Sequence, residues 1–336
     1  MKKLIALMLA LLMIVGLVAC GGKKAGNETP ADTGNETPTE PAAETYVVGI
    51  CQLVPHDALD AATQGFKDAL EAALPGQVTF KEGVAAGDSA TCTPIIADLV
   101  AEDVDLIMAN ATPALQTAAS ATGDIPILGT SVTEYGVALS IDNFDGLVGS
   151  NISGTSDLAP LDEQAAMLVE WFPEAKTVGL LYCSAEANSQ YQVDEVQKYL
   201  EEAGLTCEQY PFADSNDMAA ITEDAAANCD VIYVPTDNTV ASNTGIIDNI
   251  CRPAGVPVIA GEEGICSGCG VATLSISYYD LGVATGEMAA KVLTGEVKIE
   301  ELPIGYAATV TPKYNPVICE ELGLTPPEGY VAIEIG

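Results

Sequence analysis

Asp237 and Asn188 are the side chains best placed to bind a small molecule, because each lies in a polar loop between an apolar run and a helical pattern. Asp237 follows the apolar segment 231–234, and a carboxylate there can pair with a ligand ammonium or cap the next helix. Asn188 and Ser189 begin another helical pattern, where free backbone N–H groups suit a ligand carboxylate and ordinary capping is the alternative. Both loops are therefore candidate ligand contacts.

His56 is the single histidine of the chain, which limits catalytic and metal chemistry. A typical zinc site needs a second histidine, and no Gly-x-Ser-x-Gly nucleophile motif is present. We expect His56 to contact a ligand or to pack within its loop, and we expect no metal and no cofactor. Cys266 and Cys269 form a Cys-x-x-Cys spacing without a second pair, so free thiols or a local disulfide are favoured over redox or metal function.

The framework that positions these residues is duplicated. Residues 104–112 align with residues 229–237, which places Asp105 on Asp230 and Thr112 on Asp237. The segment 47–50 matches 177–180, and 124–131 matches 255–262, with Pro126 on Pro257. Three matched units in the same order predict two similar lobes.

The apolar runs in both halves are continuous and are followed by helical patterns, which is typical of central strands in a parallel sheet. We predict an α/β fold with two similar doubly wound (Rossmann-like) parallel-sheet lobes, joined by a three-crossing hinge, with the ligand cleft between them. Lobe 1 is expected to contain residues 45–153 plus 279–300, and lobe 2 residues 154–278 plus 301–336. Tyr278 falls at a predicted crossing, where its ring could line the cleft or pack in the core.

The first residues of the sequence predict a location outside the cytoplasm. Lys2 and Lys3 precede an apolar stretch that ends in Leu17-Val18-Ala19-Cys20, which resembles a bacterial lipoprotein signal. Residues 1–19 are predicted to be the signal peptide, Cys20 the lipidated residue, and residues 20–44 a disordered tether. We therefore expect an extracytoplasmic protein that is lipid-anchored to the cell membrane.

The charge of the chain argues against nucleic acid as a partner, because the formal net charge is -36. Arg252 is the only arginine in the sequence. A bound carboxylate would then be held mainly by backbone N–H groups, helix N-termini and hydroxyls.

Several segments together resemble the solute-binding proteins of ABC transporters, within the tryptophan/tyrosine-type group, over about residues 46–324. These segments are 52–60, 111–113, 153–157, 186–189, 235–240 and 278–282. The resemblance implies a periplasmic-binding-protein type I fold with the ligand between the lobes. It also implies that the loops at Gln52, Thr112, Ser131, Asn188 and Asp237 line the site.

The leading hypothesis is a lipid-anchored solute-binding protein of an ABC importer that captures an amino-acid-like ligand, aromatic or apolar. It would act as a monomer and hand the solute to a permease with a cytoplasmic ATPase. Two alternatives stay open: a ligand-sensing subunit of a signalling receptor, and an extracellular enzyme on the same scaffold, which a lone histidine supports poorly. The predicted ligand contacts are Gln52, His56, Thr112, Thr130, Ser131, Ser156, Asn188, Ser189, Thr236, Asp237, Asn238, Gly261, Glu262 and Tyr278.

Overall fold

The computed structural model describes residues 44–334. The predicted signal peptide, Cys20 and the tether as far as residue 43 lie outside the described residues. Among the residues that are described, no helix combines the length and apolar character needed to cross a bilayer.

Strands and helices alternate through most of the chain. The strands are β1 (Tyr46–Gln52), β2 (Val78–Val84), β3 (Leu106–Asn110), β4 (Ile127–Val132), β5 (Ile152–Ser156), β6 (Thr177–Cys183), β7 (Thr206–Phe212), β8 (Val231–Val234), β9 (Val258–Ala260), β10 (Ala272–Ser275), β11 (Gly305–Tyr306), β12 (Thr311–Tyr314) and β13 (Val331–Ala332). The helices are α1 (Asp57–Ala73), α2 (Ser89–Ala101), α3 (Thr112–Ala121), α4 (Tyr135–Leu139), α5 (Leu161–Trp171), α6 (Ala187–Glu202), α7 (Ser215–Asn228), α8 (Asn238–Ala241), α9 (Thr244–Ala254), α10 (Glu263–Cys269), α11 (Tyr278–Leu293) and α12 (Pro316–Leu322). A short 3₁₀ turn covers Ile299–Glu301.

Two sheets form two lobes. The first has the strand order β11-β5-β4-β3-β1-β2, and the second has the order β13-β12-β10-β9-β8-β6-β7. Every pairing is parallel except that of β10 with β12. The central strands β3 and β8 are buried along their whole length, as their uninterrupted apolar runs require. The predicted α/β fold with two parallel-sheet lobes is confirmed.

The lobe boundaries differ from the predicted ones by a few residues. β5 pairs with β4 along its length, so lobe 1 continues to Ser156 and does not end at residue 153. β11 pairs with β5, with Gly305 opposite Thr155, so this part of the predicted lobe 2 segment 301–336 belongs to the first sheet. Both strands are short and polar, and strands of this kind leave no apolar run in the sequence. The chain passes between the sheets at residues 157–160, 276–277 and 307–310.

Glycines fix α11 tightly against α1. A Cβ atom added at Gly282 would overlap the carbonyl oxygen of Ala62, and one added at Gly65 would overlap that of Tyr279. The two helices therefore pack with their backbones in contact, which only glycine permits. Since α11 starts at the second crossing, this packing ties the crossing to lobe 1.

Each lobe contains the same polar link at the start of its first strand. The Oδ2 atom of Asp105 accepts a hydrogen bond from the backbone N–H of Val47 at 2.7 Å. The Oδ2 atom of Asp230 accepts from the N–H groups of Lys176 and Thr177 at 2.8 and 2.9 Å. Hydrogen bonds from these amides lower the pKa of Asp230. The two aspartates that the duplication aligns thus have the same structural role.

Candidate functional site between the lobes

The candidate site lies where the carboxyl ends of both sheets face each other. His56 precedes α1, Asp157 follows β5, Asp237 follows β8, Glu262 follows β9 and Tyr278 begins α11. In open α/β sheets this edge binds ligands because loops and helix N-termini converge there.

One pocket contains residues from both lobes, from the first crossing and from the start of α11. Its lining is His56, Leu59, Asp157, Thr236, Asp237, Asn238, Ala241, Glu262 and Tyr278. It brings together six of the predicted contacts. The free volume of the pocket is about 10 Å³, which holds about one water molecule. A larger molecule can enter only if the lobes separate or the lining side chains turn.

His56 connects the lobes across this pocket. Its Nε2 atom lies 3.3 Å from Oδ1 of Asn238. Burial lowers the pKa of His56, although the hydrogen bond with Asn238 and the charge of Glu186 oppose that shift. The imidazole is therefore neutral around pH 7 and adds no positive charge to the pocket.

Asp237 is buried, and both of its carboxylate oxygens accept hydrogen bonds from backbone N–H groups of lobe 2. Oδ1 accepts from the N–H of Val240 at 2.9 Å, and Oδ2 accepts from the N–H of Cys183 at 2.7 Å. Burial, reinforced by the charge of Glu186, raises the pKa of Asp237 to about 7. The capping role that the sequence left open is therefore the one that the hydrogen bonds of Asp237 fulfil.

Glu186 supports the same loop from the other side. Its Oε2 atom accepts from the N–H of Asn238 at 3.1 Å, and its Oε1 atom accepts from the N–H and the hydroxyl of Thr239 at 2.9 and 2.8 Å. Glu186 is not among the contacts predicted from sequence, although it precedes Asn188 in the same polar loop.

Glu262 caps α10 from inside the pocket. Its carboxylate accepts from the N–H groups of Gly264 and Ile265 at 2.6 and 2.5 Å. Burial raises the pKa of Glu262 to about 7, since the hydrogen bonds from these two amides offset only part of the desolvation. The negative charges of Glu263 and Asp157 add to the increase.

Asp157 differs from the other carboxylates because it caps no helix. Its Oδ2 atom accepts from the hydroxyl of Tyr278 at 2.9 Å, and its Oδ1 atom has no hydrogen-bond partner within residues 44–334. The residue is 4% exposed, and burial raises the pKa of its carboxyl group. Asp157 is likewise not among the contacts predicted from sequence, whereas its neighbour Ser156 is. The available signal was an acidic residue at the end of the mostly polar, otherwise uncharged run 151–157.

Three further predicted residues lie outside the lining of this pocket, at the start of α3, near the end of β4 and in the first turn of α6. They are buried and hold polar atoms without partners among the described residues. These atoms are the hydroxyls of Thr112 and Ser131 and the Oδ1 atom of Asn188. The backbone beside the two hydroxyls is strained, because Ala111 has φ 90° and Ser131 has φ 54°. Buried polar atoms without partners are rare in folded proteins, and a bound water, ion or ligand is a common reason for them.

The remaining predicted contacts have partners within the protein. The amide nitrogen of Gln52 donates to Asp60 at 2.6 Å, and the hydroxyl of Thr130 lies 3.3 Å from that of Thr155. The hydroxyl of Ser189 accepts from Asn188, and the carbonyl of Gly261 accepts from Thr236, both at 3.3 Å. Ser156 donates to the carbonyl of Thr133 at 2.7 Å.

Ser156 also lines a second pocket between the lobes, with a volume of about 640 Å³. Its aromatic lining comes from both lobes: Tyr135, Phe144 and Tyr306 from lobe 1, and Tyr191 from α6.

The cysteines supply no metal site within residues 44–334. Cys266 and Cys269 are buried free thiols in α10, and burial raises the pKa of both well above the usual range of a thiol. In the same residues no group of three or more His, Cys, Asp or Glu side chains is arranged to hold a metal ion.

The protein has two structurally similar lobes, and the loops after their strands enclose a polar pocket. This arrangement is typical of a protein that binds a small solute between its lobes. The chain belongs to the family of ABC transporter substrate binding proteins, whose model matches residues 47–333. This family consists of solute-binding proteins, which act outside the cytoplasm.

Three relatives align with most of this chain. A tyrosine-binding protein from Clostridioides difficile is 32% identical over 318 residues, which is 90% of this chain and 87% of that protein. A crystal structure from Streptococcus pneumoniae, solved in complex with L-Trp, is 33% identical with a TM-score of 0.81, and the match covers 86% of this chain and 100% of that one. The ligand-free, open structure of a substrate binding protein with adhesive properties from Clostridium difficile is 34% identical with a TM-score of 0.67, covering 87% and 100%.

The last two structures indicate how the lobes of this chain are arranged. Their sequence identities to it are nearly equal, yet the TM-score is higher for the L-Trp complex than for the open, ligand-free structure. The lobes therefore lie closer to the arrangement of the complex, which agrees with the small volume of the pocket.

Proposed function

We propose that this protein captures an aromatic amino acid in the interlobe pocket and delivers it to an ABC permease with a cytoplasmic ATPase. The observation that carries the proposal is the set of buried polar atoms without partners among the described residues, near the end of β4 and in loops and helix starts that follow the strands. Asp157 and Asn188 offer acceptors, whereas Thr112 and Ser131 offer hydroxyl groups. Acceptors match a ligand ammonium, and hydroxyl donors match a ligand carboxylate.

The ammonium would bind to Oδ1 of Asp157, with the Oδ1 atom of Asn188 as a second acceptor. Asp157 is buried, so an ammonium there would relieve the cost of an unpaired carboxylate in a dry site. The hydroxyl of Tyr278 would hold the carboxylate of Asp157 in place through its 2.9 Å hydrogen bond.

The carboxylate of the ligand would bind near the start of α3 and the end of β4. The hydroxyls of Thr112 and Ser131 are available there, and no side chain from the described part of the protein caps the N-terminus of α3. The unpaired N–H groups and the dipole at a helix start favour an anion. The relatives named for tyrosine or solved with L-Trp support an aromatic side chain on the ligand.

Calorimetric titration of the purified protein, refolded from denaturant to remove co-purified ligand, tests the proposal. L-tyrosine and L-tryptophan are the test ligands, and L-leucine and glucose are the comparison solutes. We expect one site per chain and a Kd of about 10 µM or tighter for at least one aromatic amino acid. Binding of glucose together with no heat from any aromatic amino acid would overturn it.

The anchor and the direction of transport belong to the same proposal. We infer that Cys20 carries the lipid and that the protein works as a monomer on the outer face of the cytoplasmic membrane. Cys20→Ser should release the protein from the membrane fraction and reduce uptake of the labelled amino acid by cells. Retention of the variant in the membrane fraction would contradict the anchor.

A further inference from the structure

The ionisable groups around the pocket are acids, apart from the neutral His56. Asp157, Asp237 and Glu262 line it, and Glu186 lies directly behind Asn238. Each of these carboxylates is at most 4% exposed. No lysine or arginine from the described part of the chain lines this pocket.

Three of the four carboxylates are committed to backbone amides of lobe 2. Glu186 and Asp237 bind the first turn of α8, and Glu262 binds the first turn of α10. Asp157 is the exception, because one of its oxygens has no partner in the described structure. A buried anion with an open acceptor is a receptor for a cation.

The basic side chains that could hold a ligand carboxylate are engaged elsewhere. The guanidinium of Arg252 pairs with Asp248 at 2.6 Å and with Glu321 at 3.0 Å. Lys313 lines a neighbouring pocket that shares Glu262 and Tyr278, but its ammonium pairs with Glu263 at 2.6 Å. The ligand carboxylate is then left with neutral donors, the hydroxyls of Thr112 and Ser131 and the start of α3.

We propose that the pocket also binds aromatic primary amines, which carry the ammonium and the ring of an aromatic amino acid but no carboxylate. The inference rests on the proposed function for the position of the ligand in the pocket. Losing the ammonium removes the one pairing between opposite charges, whereas losing the carboxylate removes hydrogen bonds from uncharged donors. The amine also avoids the repulsion between a ligand carboxylate and the ionised fraction of the buried acids.

A panel of matched ligands tests the proposal by calorimetric titration of the whole protein. The compounds are L-tyrosine, tyramine and hydroxyphenylpropionate, with L-tryptophan, tryptamine and indolepropionate as a second set. We expect the better-fitting amine to bind within about tenfold of its amino acid and the corresponding acid to bind at least about 100-fold more weakly.

The variant Asp157→Asn tests the receptor itself, because it keeps the shape of the side chain and removes its charge. We expect it to weaken binding of both the amine and the amino acid by at least about 100-fold. Asp98→Asn, an exposed position on α2, is the matched control and should leave both affinities unchanged. Circular dichroism and the Tm of Asp157→Asn establish that the variant is folded.

The outcomes separate this inference from the proposed function. Binding of the amino acid with the amine more than about 100-fold weaker overturns the inference and leaves the proposed function standing. Binding of the amine without the amino acid supports the inference and overturns the amino-acid proposal. Absence of binding by every compound overturns both. Equal affinities in Asp157→Asn and in the unmodified protein would remove Asp157 as the receptor.

Discussion

Replacing Glu262 by glutamine should change how the stability of the ligand-free protein depends on pH. Glu262 is 3% exposed, and burial raises its pKa from the usual 4.5 to about 7. The folded protein therefore holds a proton on this group over a pH range in which the unfolded chain has released it.

The size of the effect follows from the pKa difference. A shift from 4.5 to about 7 corresponds to about 3 kcal/mol of unfolding free energy, at 1.36 kcal/mol per unit. Because the pKa is raised in the folded state, this stability is complete below pH 4.5 and is lost as the pH rises through about 7. At about 2 °C per kcal/mol for a chain of this size, Glu262 should lower the Tm by about 5 °C between pH 5 and pH 8.

Glu262→Gln retains an acceptor at the start of α10 but cannot ionise. Its Tm should match that of the unmodified protein near pH 5 and exceed it by about 5 °C near pH 8. Differential scanning calorimetry of both proteins over this range measures the difference, in which the titration of all other groups largely cancels. Glu134→Gln is the matched control, since Glu134 caps α4 in the same way but is only half-buried.

The result that would refute this reasoning is a Tm difference that stays constant from pH 5 to pH 8. In that case Glu262 would be ionised in both the folded and the unfolded chain, and the pocket would be better solvated than its burial indicates.

Three further changes test the framework around the pocket. Gly282→Ala should destabilise the protein by about 3 kcal/mol in denaturant titrations, whereas Gly245→Ala, on the open side of α9, should be neutral or stabilising by up to about 1 kcal/mol. Asp230→Asn should cost about 1 kcal/mol at neutral pH and progressively less as the pH falls through the lowered pKa of this group, as the Tm of both proteins would report. Asp237→Ala should reduce both the Tm and the ligand affinity, whereas Asp157→Asn should reduce the affinity alone. An unchanged Tm in Asp237→Ala would show that the amide hydrogen bonds of Asp237 contribute little to stability.

The duplicated framework could be predicted from sequence because it depends on local patterns that recur. The apolar runs that became β3 and β8 are each followed by a polar turn and a helix, which specifies a strand covered on both faces. The alignment of Asp105 with Asp230 also indicated matching roles, and both bind the amides at the start of a neighbouring strand. Six predicted contacts follow such strands or open the next helix, and they meet in one pocket.

The partners of each side chain in the pocket were decided only by the tertiary structure. Asp237 and Asp157 each follow a strand, and their different tasks depend on loops that are distant in the chain. One oxygen of Asp237 accepts a hydrogen bond from the backbone of Cys183, 54 positions away in the chain. One oxygen of Asp157 accepts from Tyr278, 121 positions away, and the other oxygen has no partner among the described residues. The lobe boundary at β5 and β11 has the same origin, because these short strands are defined by their pairing across the chain. Sequence periodicity reports which face of an element is buried, but it carries no information on which distant group will meet that face.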